Sequence, residues 1–190
     1  MIRVIQHNCT RSYEWTFAAL ETGVKRRADI LCLQEALRER GVIGISHLAY
    51  EMRKRIQVWT AIRKGSGLVV DVRTDLNRCA NDDFIATDVR RKGEQIARIF
   101  NFYDQKDAQS GERERPARKL NWHRVIRQGG TVLAGDFNAH SKWWDPRCQV
   151  LRNAAFWEDV IDENALEMRN DGRPTHHWTM ECWSEWVSWL

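Results

Sequence analysis

Apolar positions along this chain repeat with two different periods, and the changes of period mark its elements. Ile2 to Asn8 reads as a strand. Ser12 is placed to N-cap a helix with Glu14 in its first turn, and Phe17, Leu20 and Val24 then fall on one helical face. Ala28 to Leu33 is apolar apart from Asp29, the pattern of a strand buried on both faces. Ile56, Val58, Thr60 and Ile62 alternate with Gln57, Trp59 and Ala61, and Gly67 to Val72 is a further apolar run after a Gly-Ser-Gly turn. Phe84 to Val89 and Ile96 to Tyr103 predict two strands joined near Lys92-Gly93. Pro116 fits the first turn of a helix carrying Leu120, Trp122, Val125 and Ile126, which Gly129-Gly130 would end. Thr131 to Ala134 predicts a short strand running into Gly-Asp-Phe-Asn, and Leu151, Ala154, Trp157 and Ile161 predict a last helix.

Helices and strands are interleaved, but several strands follow one another directly. That order favours α+β layers with mixed or antiparallel sheets over a strictly alternating parallel sheet. No repeat or low-complexity linker interrupts the 190 residues, a length that suits one domain with its own core. The end of the chain departs from this pattern. Trp183, Trp186 and Trp189 recur every third residue, and a stretch of that kind has no strand partner in the rest of the sequence. Residues 180–190 are therefore read as a divergent tryptophan-rich tail, poorly packed, after a domain spanning 1–179.

Composition narrows the class. Hydrophobic residues make up 43% and charged residues 29%, which excludes disordered and fibrous chains. No apolar run approaches the ~20 residues of a membrane span, and the first strand does not resemble a signal peptide. The five cysteines form no Cys-x-x-Cys pair, which suits reduced thiols in an intracellular protein. The net charge of +4 comes in short basic clusters, at residues 25–27, 53–55, 90–92 and 113–119. Each alone is an ordinary solvated face; together they favour a polyanionic partner.

Candidate chemistry gathers at the predicted strand ends. Gln6 and Asn8 share a face at the end of the first strand; Gln34-Glu35, Asn101-Phe102-Tyr103 and Gly135-Asp136-Phe137-Asn138 end three others. Each has an everyday role. Gln6 and Asn8 are common strand-end hydrogen bonders, an acid such as Glu35 suits a helix start, Tyr103 suits packing, and Asp136 and Asn138 are turn formers. As a set, these carboxylates and carboxamides suit a hard cation such as Mg²⁺.

The order of the motifs carries a resemblance. IQHN, LCLQE, NFYD and LAGDFNAH, in sequence, resemble the endonuclease/exonuclease/phosphatase superfamily. His140-Ser141 and Trp143-Trp144-Asp145 after GDFN, then Arg173-Pro174-Thr175 to Trp178, resemble the endonucleases at the head of non-LTR retrotransposon polyproteins. The resemblance spans about residues 2–179 and implies a four-layered α/β sandwich, two packed β-sheets flanked by helices, with its last strands missing. It implies that Glu35 is the principal metal ligand and that Asn8 binds the scissile phosphate or completes the metal shell. Tyr103 would donate its hydroxyl to a phosphate oxygen, Asp136 would orient or deprotonate the attacking water, and Asn138 would hold the nucleophile side. Gln6, Gln34, His140 and Thr175 are supporting residues in this reading. The implied cofactor is Mg²⁺, with Mn²⁺ as substitute; the implied partner is DNA, with no membrane, for a monomeric nuclear module of a larger polyprotein with reverse transcriptase.

Where such relatives carry an Asp-bearing strand and a terminal Ser-Asp-His, this chain reads Met180-Glu181-Cys182-Trp183-Ser184-Glu185-Trp186. The resemblance then implies a Mg²⁺-dependent DNA endonuclease of low activity. A remnant that only binds nucleic acid, and a phosphoesterase of the same superfamily acting on another substrate, stay open beside it.

Overall fold

The computed structural model describes residues 2–36, 46–55, 57–77, 83–104, 116–126, 130–144, 149 and 152–168, and the backbone of 184–188. Nine strands form two mixed sheets among these residues. The first sheet contains β1 (Ile2–Asn8), β2 (Ile30–Gln34), β3 (Tyr50–Lys54), β4 (Val58–Arg63) and β9 (Ser184–Ser188), in the order β3-β4-β2-β1-β9. The second contains β5 (Leu68–Val72), β6 (Phe84–Arg91), β7 (Glu94–Tyr103) and β8 (Thr131–Asp136), in the order β5-β6-β7-β8. Within each sheet one neighbouring pair is parallel, β1 with β2 and β7 with β8. The described helices are α1 (Tyr13–Lys25), α2 (Thr74–Asn77), α3 (Trp122–Val125) and α4 (Arg152–Glu163).

The strand period of two sorts the side chains into four layers. Ile2, Val4, Ile30, Cys32 and Ile62 of the first sheet face Val70, Val89, Ala97, Ile99 and Ala134 of the second, forming the seam between the sheets. The alternate residues Ile5, Leu31, Leu33, Trp59 and Ala61 face outward and are covered by Ala19 and Leu20 of α1. On the far side, Phe84, Ala86, Phe100 and Phe102 pack under Leu120, Trp122, Trp157 and Val160. This is the expected sandwich: helix, sheet, sheet, helices.

Four local expectations change. Ser12 does cap α1, accepting a 3.2 Å hydrogen bond from the Trp15 amide, but the buried stripe is Thr16, Ala19, Leu20 and Gly23. Val24 is exposed, because the helix lies so close to β2 that a Cβ on Gly23 would stand 2.7 Å from a Leu31 methyl. Small residues therefore mark the contact face. The single helix expected from Pro116 onward is a 3-10 turn, Pro116–Lys119, followed by the short α3. Asn121 breaks it by capping α3 through its own side chain, at 3.3 Å from the Arg124 amide. Strand β3 has no counterpart in the sequence reading. Finally, 184–188 is not left without a strand partner: β9 pairs antiparallel with β1, from Ile2↔Ser188 to Gln6↔Ser184. Backbone pairing needs no particular side-chain pattern, which is why the triplet spacing hid it.

One glycine sets the spacing of the parallel pair that carries the Gly-Asp-Phe-Asn motif. A Cβ at Gly135 would fall 2.1 Å from the Phe102 carbonyl oxygen, its neighbour across β7 and β8. Backbone cannot yield as a side-chain tip does. Gly135→Ala is expected to lower stability by about 3 kcal/mol, read as a reduced urea midpoint at unchanged slope. An unchanged midpoint would contradict this close approach.

Candidate active site

Along the inner face of four strands the residue type changes in step. Each starts apolar, passes through a carboxamide or small residue, and ends on a polar group: Val4-Gln6-Asn8, Ile30-Cys32-Gln34, Ile99-Asn101-Tyr103 and Val132-Ala134-Asp136. Because β1 with β2 and β7 with β8 run parallel, all four ends meet at one edge of the seam.

The middle of this gradient is a chain of amides. Gln6 Nε2 donates to Gln34 Oε1. Gln34 Nε2 donates to Asn101 Oδ1 across the seam (2.7 Å) and to the Cys32 carbonyl (3.2 Å). Asn101 Nδ2 donates to the Trp59 carbonyl (2.9 Å) and Thr60 Oγ1 (3.3 Å). Gln34 and Asn101 are fully buried, and both N–H bonds of each are used.

The polar ends then converge. Asn8 Nδ2 donates to Asp136 Oδ2 (2.8 Å), joining the two sheets, while Asn8 Oδ1 accepts from the Thr10 amide (2.9 Å). Asp136 Oδ1 accepts from the Asn138 amide (3.0 Å), an Asx turn that holds the carboxylate still. Asn138 itself is exposed, with a left-handed φ of 44°. Glu35 follows β2 with a φ of 45°; its amide donates to the Gln57 carbonyl (2.7 Å) and its carbonyl accepts from the Arg11 amide (2.7 Å). Its carboxylate accepts from Arg11 Nε at 3.1 Å and from the Tyr103 hydroxyl. Burial first, then the Glu35 and Asp136 carboxylates, push the Tyr103 hydroxyl well above the usual phenol range, so it stays a donor.

Thus Asn8, Glu35, Tyr103 and Asp136 share one pocket, supported from beneath by Gln6 and Gln34. Asn138 borders it through its backbone, whereas His140 is solvent-exposed. Thr175 lies outside the described residues.

Three contributors carried no assigned role in the sequence reading. Arg11 pairs with Glu35. Asp104, directly after Tyr103 and 1% exposed, accepts from Asn153 Nδ2 (3.0 Å) and Trp157 Nε1 (3.2 Å). Asn153 also donates to the Phe137 carbonyl (2.9 Å), so α4 is bolted to the loop behind Asp136. The aspartate was visible as the last letter of NFYD; its partner on a distant helix was not.

The donor set is one of hard oxygens. Cys9 and Cys32, the nearby thiols, are buried, and burial pushes each up to about 12, which leaves them protonated and inert. No group of three or more His, Cys, Asp or Glu side chains capable of caging a metal occurs among the described residues.

The basic clusters divide by position. Arg53-Lys54-Arg55 closes β3 at the pocket end of the first sheet, with Lys54 Nζ 4.5 Å from the Trp59 ring centre. Lys25-Arg26-Arg27 precedes β2 and Arg90-Arg91-Lys92 precedes β7, so both lie at the opposite end of the sandwich. Arg113 and Arg115 lie outside the described residues, whereas Arg118 and Lys119 end the 3-10 turn Pro116–Lys119.

The chain matches the profile of the Endonuclease/Exonuclease/phosphatase family over residues 10–185. Among solved structures it is similar to the endonuclease domain of TRAS1, a telomere-specific non-LTR retrotransposon, with a TM-score of 0.69 at 17% identity, covering 90% of this chain and 74% of that one. It is also similar to the AP endonuclease LMAP from Leishmania major, with a TM-score of 0.56 at 14% identity, covering 86% of this chain and 66% of that one. No curated protein sequence gives a significant match. At such identities the two structures speak for the fold alone. The profile spans nearly the whole chain, with β2, β7 and β8 of the site inside it, and on that ground the protein belongs to the Endonuclease/Exonuclease/phosphatase family.

Proposed function

We propose that this protein is a Mg²⁺-dependent phosphodiesterase that nicks DNA, the endonuclease module of a non-LTR retrotransposon. The observation that carries the reading is the meeting of Glu35, Asn8, Tyr103 and Asp136 at one edge of the seam. The TRAS1 likeness supports the retrotransposon setting, and Arg53-Lys54-Arg55 beside the pocket supports a polyanionic substrate.

Glu35 would hold the cation, with Mn²⁺ able to replace Mg²⁺. When bound, the ion supplies charge stabilisation to a phosphate oxygen. The remaining work belongs to side chains. Asp136, fixed by Asn8 and the Asn138 amide, holds a water for attack and takes its proton. Tyr103 donates to a phosphate oxygen, where its proton is worth most as negative charge builds. Asn138 lines the nucleophile side. The P–O3′ bond breaks, the leaving 3′ oxygen takes a proton from solvent water, and the product ends in a free 3′ hydroxyl.

Nicking of supercoiled plasmid tests this reading. Mg²⁺-dependent nicking should be abolished by EDTA, and Glu35→Ala should lower the residual rate by at least about a hundredfold. Cleavage of inositol phosphates or nucleotides with plasmid untouched would replace DNA by another phosphoester, and plasmid binding without any cleavage would favour the remnant.

Tyr103 makes a separate prediction about pH. A raised value keeps its proton on throughout the range below its ordinary value of about 10. In the metal-free protein the phenolate absorbance of this tyrosine, read as the difference between wild type and Tyr103→Phe, should not develop below about pH 10, and Tyr103→Phe should lower the rate roughly tenfold to a hundredfold. Phenolate near pH 9 in the wild type that is missing from Tyr103→Phe would contradict the assignment of a permanent donor.

A further inference from the structure

A cation already stands on Glu35. Arg11 Nε lies 3.1 Å from Glu35 Oε1, the carboxylate that the functional reading gives to the metal. The two partners differ in freedom. The Glu35 side chain is 16% exposed and the Arg11 side chain 48%, so the carboxylate is held while the guanidinium is half in solvent.

The backbone beneath the pair is fixed. The Arg11 amide donates to the Glu35 carbonyl (2.7 Å), the Cys9 amide to the Gln34 carbonyl (2.8 Å) and the Ser12 amide to the Cys9 carbonyl (2.9 Å). Thr10, Arg11 and Glu35 all hold left-handed φ values, 48°, 58° and 45°, which non-glycine residues adopt only where surrounding contacts impose them. The loop after β1 thus holds the Arg11 backbone beside Glu35, with the guanidinium within reach of its carboxylate.

Charge supplies the consequence. The Glu35 and Asp136 carboxylates leave the pocket doubly negative, and Arg11, close enough to act on the Tyr103 hydroxyl, reduces that to a single negative charge. A dication approaching Glu35 meets one positive charge already seated there, and both compete for the same lone pairs.

We infer that Arg11 is a positioning residue that occupies the cation's place on Glu35, holding the carboxylate in its binding posture and weakening metal affinity until the ion displaces it. This rests on the reading of Glu35 as the metal ligand. The charge on residue 11, through its contact with Glu35, therefore sets how much Mg²⁺ the pocket needs.

The test is Mn²⁺ binding to the full chain without DNA, followed by calorimetry or by the electron paramagnetic resonance signal of free Mn²⁺. Arg11→Gln should bind Mn²⁺ about two- to fivefold more tightly than the wild type, the scale of a partly exposed ion pair, while Arg11→Lys stays within about twofold. Arg11→Gln should also melt earlier in EDTA, with the difference narrowing in saturating Mn²⁺. Should it not fold, Arg11→Met keeps the alkyl stem and carries the same comparison. Unchanged or weaker Mn²⁺ binding on loss of the charge overturns the inference. Glu35→Gln separates the two levels: Mn²⁺ binding that survives it removes the metal assignment itself. Binding lost in Glu35→Gln but unaltered in Arg11→Gln removes only the role of Arg11.

Discussion

The row of amides buried between the sheets is the constraint on which the rest depends. Gln34 reaches from the first sheet to Asn101 of the second, Gln6 feeds it from one side and Thr60 receives from the other. An unpaired amide in such a place costs about 1–3 kcal/mol, so each member is tolerated only because its neighbours complete it. An apolar seam alone would hold the sheets together yet permit sliding; hydrogen bonds with fixed directions do not. The register they impose places Asn8 against Asp136, one step further along the same faces, and brings Tyr103 to Glu35, the residue after Gln34.

Chemistry then follows from what the seam leaves at its edge. Two carboxylates from different sheets stand beside a tyrosine that burial keeps protonated, and the Arg11 guanidinium paired with Glu35 is half solvent-exposed. Four of the seven non-glycine residues with positive φ among the described residues gather in the same place: Thr10, Arg11, Glu35 and Asn138. Conformations of that kind cost of order 1 kcal/mol or more each and persist where the fold over-determines them. Here the determinants are visible, in the amide bonds from Arg11 to Glu35, from Glu35 to Gln57 and from Asn138 to Asp136.

Much of this was legible in the sequence because it depends on short periods. Alternation along Ile2–Asn8 and Ile96–Tyr103 announces which residues share a face, and polar letters at strand ends announce a site. What escaped depends on contacts distant in sequence. The face of α1 was misjudged because closeness to Leu31 selects Gly23 and Ala19 over larger apolar residues. The turn at Asn121 is a side-chain cap, which competes with a helix that Leu120 to Ile126 would otherwise continue. Strand β3, Tyr50-Glu51-Met52-Arg53-Lys54, is a charged edge strand whose sequence lacks alternation; β9 is set by pairing with β1. Asp104 reads as a loop acid until Asn153 and Trp157 arrive from α4, and Arg11 reads as one more basic residue until the loop folds onto Glu35.

We propose that the edge of the seam is a cation site centred on Glu35 and faced by Asp136 and Tyr103. A crystal of the protein soaked in Mn²⁺ and measured for anomalous scattering should show one strong peak about 2.1 Å from a Glu35 carboxylate oxygen, with Arg11 turned away. A peak seated elsewhere on the fold, or none at saturating Mn²⁺ with Arg11 still on Glu35, would contradict it.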